Sequence, residues 1–154
     1  MKFVEAIHLA LQKSTTVITA LGTGGAGKIF QSFVAPTTSM PFIVVSAQSD
    51  DAINPTINGT GDVVRLATIA IDCISTSMQE ASNIADHVRV DLYGAKGTLA
   101  TTTNSPMTIQ NIRIEGTSLA YDLGGEGTEY GAFVCSVNMK IWYVASSPSA
   151  VTLT

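Results

Sequence analysis

The sequence has few charged residues. Only 13% of its 154 residues are Asp, Glu, Lys or Arg, about half the share of roughly 25% that globular proteins carry. The eight Lys and Arg residues are scattered, and the closest two, Arg89 and Lys96, are seven positions apart. Proteins that bind nucleic acids concentrate cations so that several phosphates are neutralised together. The chain also has a formal net charge of −4. The scattered cations and the negative net charge therefore argue against a surface that binds nucleic acids.

Cysteines and long apolar runs are equally scarce. The two cysteines, Cys73 and Cys135, and the two histidines lie too far apart for a zinc-binding motif, so reduced thiols in a cytosolic protein are expected. No apolar run approaches the ~18 residues that span a bilayer. Residues 1–8 include an acid and a histidine, which does not fit a signal peptide. We therefore expect no membrane segment.

The remaining composition favours a subunit of an assembly. Hydrophobic residues make up 45% of the chain, which is enough for a packed core and excludes general disorder. Low charge leaves a polar but weakly charged surface, as expected where partners cover part of it. The length predicts one domain over residues 1–145, followed by a polar C-terminal tail at 146–154.

Hydrophobic periodicity predicts the secondary structure. Apolar side chains at helical spacing indicate helices over 2–13 and 17–21, and a Ser77–Glu80 capping box opens a helix that ends near Gly94. Alternating β-branched residues predict strands, at 29–34, 42–47, 63–74, 108–121 and 129–144. Helices do not alternate with strands. The predicted fold is therefore α+β, an antiparallel or mixed β-sheet of about five strands with two helices packed on one face.

A glycine-rich segment between Gly22 and Lys28 has the spacing of a phosphate-binding P-loop. The next residue is Ile29 rather than the Ser or Thr that holds magnesium. The segment also follows a helix and precedes a strand, which is the reverse of a P-loop. We therefore interpret it as a connection between a helix and a strand, with a nucleotide-binding module as the alternative.

Other catalytic or metal-binding patterns are missing. Residues 54–59 begin like a calcium-binding loop, but Arg65 stands where the bidentate Glu belongs. Both cysteines fall on inward-facing strand positions, where a nucleophile has poor access. We assign no catalytic, cofactor-binding or metal-binding residue and predict that the protein is not an enzyme.

The order of elements and several sequence segments resemble a bacteriophage family. Residues 69–73 followed by 79–88 are similar to the central strand and helix of the tail-completion family, also called tail terminators or tail-to-head joining proteins. Residues 41–45 and 139–143 resemble an early strand and the closing strand of that family. The resemblance extends over residues 1–145 and consists of apolar and small-residue patterns rather than catalytic signatures.

The resemblance implies a structural virion protein that is assembled in the cytoplasm of the bacterial host. Members of the family form a homohexameric ring at the head-proximal end of the tail, in the neck region, where the ring ends polymerisation of the tail tube. Expected partners are further copies of the chain, the tail tube protein and a neck or head-connector protein. Genomic DNA passes through the channel without specific binding. A subunit of a neck or head–tail adaptor, or a cytosolic binding domain with no virion role, is the alternative.

Turn-forming residues over 48–61 predict a long loop, and long loops are often functional. In a ring, such a loop would contact a neighbouring subunit or the next ring. The candidate contact residues are Asp50, Asp51, Ile53, Asn54, Pro55, Ile57 and Asn58. The candidate channel-facing acids are Asp50, Asp51 and Glu126, which would repel DNA phosphates.

Overall fold

Helices and strands follow one another in an order close to the predicted one. The computed structural model describes residues 2–32, 34, 38–53, 62–99, 107–122 and 131–146. The helices are α1 (Lys2–Lys13), α2 (Thr15–Leu21) and α3 (Met78–Leu92), with a 3₁₀ turn at Gly25–Lys28. The strands are β1 (Ile29–Gln31), β2 (Phe42–Ala52), β3 (Asp62–Ser75), β4 (Gly97–Leu99), β5 (Met107–Asp122) and β6 (Ala132–Ser146).

The strands form one mixed sheet in the order β1-β2-β3-β6-β5-β4. Among the described strands, the β1–β2 pair is parallel and the other pairs are antiparallel. The predicted α+β fold is confirmed, with six strands and three helices in the described residues in place of about five and two. The additional strand, β4, lies between the predicted helix that ends near Gly94 and the strand predicted at 108–121.

The core lies between the helices and one face of the sheet. Odd-numbered residues from Ala67 to Ser75 on β3 and from Cys135 to Tyr143 on β6 are buried, including Ile69, Ile71, Val137 and Ile141, because successive side chains of a strand point to opposite faces. The same pattern buries Cys73 and Cys135, which are free thiols directly opposite each other in the β3–β6 register. The apolar stripe of α3 is buried in the same cluster, as its helical spacing predicts; it comprises Ala81, Ile84, Ala85, Val88 and Leu92.

Side-chain caps set the starts of two helices. Ser14 precedes α2 and accepts from the Val17 amide at 3.2 Å, and Ser77 caps α3 by accepting from the Glu80 amide at 3.4 Å. The return contact differs from the capping box that we predicted. The Glu80 carboxylate bonds the Ser75 hydroxyl, and that hydroxyl accepts from the Ser77 amide at 3.1 Å.

The predicted ends of two strands were wrong. β2 runs to Ala52 instead of ending at 47, so the first part of the expected 48–61 loop is strand paired with β3. The ladder to β3 overrides the turn preference of Ser49 and the two aspartates, since pairing and packing outweigh intrinsic strand propensity. β1 ends at Gln31 rather than 34, because Ser32 adopts a left-handed backbone with φ 60°.

Candidate assembly surface

A polar cluster joins the end of β2 to β3 and β6, the next two strands in the sheet. Arg65 on β3 donates from Nε to Asp50 Oδ1 at 3.0 Å and from Nη2 to the Asp50 carbonyl at 3.1 Å. The Tyr143 hydroxyl on β6 donates to Asp50 Oδ2 at 2.7 Å. Burial and the bond to Asp50 raise the pKa of Tyr143, and the bond to Asp50 raises the pKa of Arg65. Both oxygens of the Asp50 carboxylate are therefore engaged within the subunit.

The other predicted contact residues are placed unevenly. Asp51 is exposed, and no residue in the described ranges forms an ion pair with it. Ile53 follows β2, is 44% exposed and donates its amide to the Val64 carbonyl at 2.9 Å. Asn54, Pro55, Ile57, Asn58 and Glu126 lie outside the described residues. The contact and channel roles of all these residues stay predictions.

The glycine-rich segment is held by side chains of its own subunit. Lys28 Nζ donates to the Leu21 carbonyl at the end of α2 at 3.3 Å. From α1, Gln12 donates to the Ala26 carbonyl at 3.0 Å, and His8 places Nε2 2.7 Å from the Ile29 carbonyl. A Cβ atom at Gly25 would overlap the Ile18 carbonyl, so glycine is needed there for close packing rather than for phosphate binding.

The outer strand β5 presents a second surface that the sequence did not reveal. β4 pairs only with Met107–Ile109, and the Gly94 amide donates to the Ile112 carbonyl at 3.0 Å. Beyond Ile112, no residue that the structure describes pairs with the side of β5 that faces away from β6. We call residues 113–122 the open edge of β5. All of its described side chains are exposed except Ile114, and they include Leu119 and Tyr121.

A groove of about 920 Å³ separates this edge from the outer face of α3. We call it the α3–β5 groove. Its helical wall carries Val90 and Tyr93, which are 78% and 70% exposed, and its strand wall carries Ile114, Gly116 and Thr117. Val90 and Tyr93 lie off the buried stripe of α3. Apolar residues away from a core stripe are a sequence signal for a contact surface, and this signal could have indicated the groove.

Among the described residues, no group of three or more His, Cys, Asp or Glu side chains is arranged to hold a metal ion. None of the described helices has the length and hydropathy needed to cross a membrane.

Comparison with known proteins gives a likeness of fold and none of sequence. No protein-family model matches the chain, and no curated protein is similar to it. Among solved structures, the chain is similar to one from the "Virion of native gene transfer agent (GTA) particle", with a TM-score of 0.59. The match covers 94% of this chain and 96% of the other chain at 11% identity. The two chains therefore share a fold over nearly their whole lengths.

Proposed function

We propose that this chain is a structural virion protein that forms a homohexameric ring at the head-proximal end of a phage-like tail. The ring ends polymerisation of the tail tube and joins the tail to the neck or head connector. The protein has no catalytic role and lies in the virion after assembly in the host cytoplasm. Its partners are other copies of itself, the tail tube protein and a connector protein, while DNA passes through the channel.

The observation that carries this proposal is the fold shared with a chain of a gene transfer agent virion. The likeness extends over 94% of this chain, so it concerns the whole arrangement of sheet and helices rather than one common motif. It agrees with the sequence resemblance to tail-completion proteins, which rests on residues 41–45, 69–73, 79–88 and 139–143. The low charge content also suits a subunit with much of its surface against partners.

A ring also requires each subunit to offer two different surfaces, because its interfaces are heterologous. The sheet has two such regions on opposite sides. One is the β2 end, where Asp51 and Ile53 are exposed, and the other is the open edge of β5 with the α3–β5 groove. β2 and β5 are separated by β3 and β6. Contacts between these regions on successive subunits would therefore run in one direction around a ring.

The charge of the subunit suits passage of DNA. Each copy has a formal net charge of −4, so a closed ring is acidic and would repel phosphates. Because Asp50 is engaged by Arg65 and Tyr143, Asp51 and Glu126 are the better candidates for the channel wall. Asp50 instead positions the end of β2 next to the predicted contact residues.

The nucleotide-binding alternative has no comparable support. Its key cation, Lys28, donates to the carbonyl at the end of α2. The preceding glycines join a helix to a strand through a 3₁₀ turn. This order lacks the strand-to-helix geometry that directs backbone amides at a phosphate.

Electron microscopy of particles made with and without this chain tests the proposal. We expect particles lacking it to give tails of uncontrolled length that are not joined to heads. In complete particles, a map should show six copies in a ring between tube and head. A chain that is absent from the particles would overturn the proposal, and a ring placed within the neck would favour the adaptor role.

A deletion of residues 54–60 tests the predicted contact segment separately. These residues fall between β2 and β3, outside both strands, so circular dichroism and thermal unfolding should stay close to those of the parent chain. Ring formation or joining of tails to heads should fail. Normal infectious or transducing particles from the deletion variant would remove this segment from the mechanism.

A further inference from the structure

The open edge of β5 is unusual because it is both long and free of charge over much of its length. Arg113 and Glu115 are the charged residues in its first part, and Glu115 pairs with Lys140 at 2.9 Å. From Gly116 to Tyr121 no residue is charged. Natural proteins usually protect such an edge with charges, proline or a covering element, because its free amides and carbonyls accept another strand. Here the segment 116–121 has no such protection among the described residues.

The α3–β5 groove gives this edge the form of a peptide-binding site. An extended segment that adds to a strand edge obtains its affinity from main-chain hydrogen bonds, and its alternate side chains enter neighbouring pockets. The groove offers such a contact, since Val90 and Tyr93 stand beside the strand. Asp86 and Arg89, which also line it, neutralise each other at 3.1 Å. The groove therefore suits an extended, uncharged segment with apolar side chains at every second position.

The C-terminal segment of the chain has this composition. Residues 147–154 read Ser-Pro-Ser-Ala-Val-Thr-Leu-Thr and contain no charged residue. Val151 and Leu153 are spaced by two, which places both on one face of an extended chain. We propose that the C-terminal segment of one subunit binds as an added β-strand along the open edge of β5 of a neighbouring copy, with Val151 and Leu153 in the α3–β5 groove.

Distances along the sheet exclude binding to the same subunit. Ile114, the groove residue on β5 nearest to Ser146 along the strand, is opposite Met139 in the β5–β6 register, and Met139 lies seven residues before Ser146 on β6. At about 3.4 Å per residue and 4.8 Å per strand spacing, Ser146 is roughly 26 Å from the outer side of Ile114. Val151 is five residues beyond Ser146 and reaches at most about 18 Å. The groove of its own subunit is therefore out of range of Val151, and the occupant comes from another copy.

This inference rests on the proposed ring, because it needs a neighbouring copy within reach. It goes beyond the ring proposal by naming the C-terminal segment as a part of the subunit that contacts the next copy. Each copy would donate one segment and accept one, which is the heterologous arrangement that closes a ring. Ser146, from which the segment continues, lies at the end of β6 and does not line the groove, so one copy can do both.

Peptide binding tests the contact without any particle. The receptor is the full chain carrying Val151→Asp and Leu153→Asp, so that its own segment does not compete. The probe is a fluorescein-labelled peptide of residues 145–154, and anisotropy measures binding. We expect saturable binding that Val90→Asp weakens at least about tenfold, because a charge would be buried against the apolar segment. Met78→Asp is the matched control, since Met78 is also exposed on α3 and does not line the groove. It should leave binding unchanged.

Absence of saturable binding, or equal binding by the Val90→Asp receptor, would overturn the inference.

Probe peptides with Val151→Asp and Thr152→Asp test which face of the segment makes the contact. In an extended segment these residues face opposite ways, so Val151→Asp should abolish binding and Thr152→Asp should leave most of it. Equal loss from both would show that the segment does not bind by its alternating face.

Cross-linking distinguishes a neighbouring copy from the same chain. Val90→Cys chains and Val151→Cys chains are mixed and oxidised, and a disulfide-linked dimer of one chain of each type is expected. The double variant should give linked multimers rather than an intrachain bond. An intrachain bond would contradict the inference even if the ring exists. Conversely, peptide binding by a chain that is absent from virions would leave the groove contact standing and defeat the proposed function.

Discussion

The inner strands β3 and β6 and the open edge of β5 have similar sequence patterns and opposite environments. β3 and β6 each have a strand on both sides and helices over one face, so Ile71 and Ile141 are fully buried. Leu119 on β5 lies opposite Cys135 and on the same face as the core, yet it is 47% exposed. The same alternation therefore produces a core where neighbours are present and a surface where they are missing.

This difference separates residues that hold the fold together from residues that are available to partners. The inner strands and the stripe of α3 bury the large apolar side chains. The open edge of β5 and the outer face of α3 expose Leu119, Tyr121, Val90 and Tyr93 at no benefit to the isolated subunit. Exposed apolar groups that cluster in one region mark interaction sites.

The largest effect on stability is expected from a charge on the buried side of α3, compared with a charge on its exposed side. Ile84→Asp buries an unpaired carboxylate in the core, which costs several kcal/mol out of a total stability of about 5–15 kcal/mol. We expect this variant to be unfolded by circular dichroism. Val90→Asp, on the exposed side of the same helix, should unfold like the parent chain. A folded Ile84→Asp variant, or an unfolded Val90→Asp variant, would break the distinction between the two faces.

A milder pair of substitutions compares the strands directly. Ile141→Ala on β6 removes a fully buried side chain and should lower the free energy of unfolding by about 2–5 kcal/mol, through lost burial and the cavity left behind. Leu119→Ala on β5 should change it by no more than about 0.5 kcal/mol, as is usual for exposed positions. Urea denaturation of both variants measures this difference. Equal destabilisation would show that Leu119 is buried in the isolated protein.

Most of the fold could be predicted because its signals are local. The helical spacing of α1, the Ser77 cap and the alternation of β6 each depend on residues close together in sequence, and each prediction was confirmed. The end of β2 could not be predicted in this way. Asp50 favours turns locally, but Arg65 and Tyr143, 15 and 93 positions away, hold it in the strand. Such distant pairing leaves no periodic pattern in one sequence.

The candidate assembly surface was predicted only in part for the same reason. Turn-forming residues indicated a contact segment over 50–58. Two of its residues, Asp51 and Ile53, are exposed at the end of β2. The open edge of β5 was missed, because its exposure depends on how little of the strand β4 covers. A strand that lacks a neighbour has the same sequence pattern as one that has a neighbour.

A third prediction concerns the polar cluster at the end of β2. Burial raises the pKa of Tyr143 above its ordinary value near 10 in the folded state, so the folded protein keeps the phenol proton where the unfolded chain releases it. Stability from this group is therefore complete below about pH 10 and falls as the pH rises further. Burial raises the pKa of the Cys73 thiol as well, and that effect acts in the same direction.

Thermal unfolding between pH 8 and 11 measures this effect in the parent chain and in Tyr143→Phe. We expect the loss of stability above pH 10 to be shallower in Tyr143→Phe, because one of the groups whose pKa is raised by burial has been removed. Tyr121→Phe is the control, since Tyr121 is half exposed on the open edge of β5, and its profile should follow that of the parent. Identical profiles for all three proteins would show that Tyr143 is accessible to water in solution.

The smallest effect is expected from Lys28→Ala, which tests whether the glycine-rich segment belongs to the structural part of the molecule. Lys28 donates one partly exposed hydrogen bond to the Leu21 carbonyl at 3.3 Å. Losing it should cost no more than about 1 kcal/mol, because water can replace the ammonium group at that carbonyl. Titration of the parent chain with ATP and magnesium should give no binding for the variant to lose. Tight, magnesium-dependent binding that disappears in Lys28→Ala would instead make this segment a ligand site and would favour the nucleotide-binding alternative.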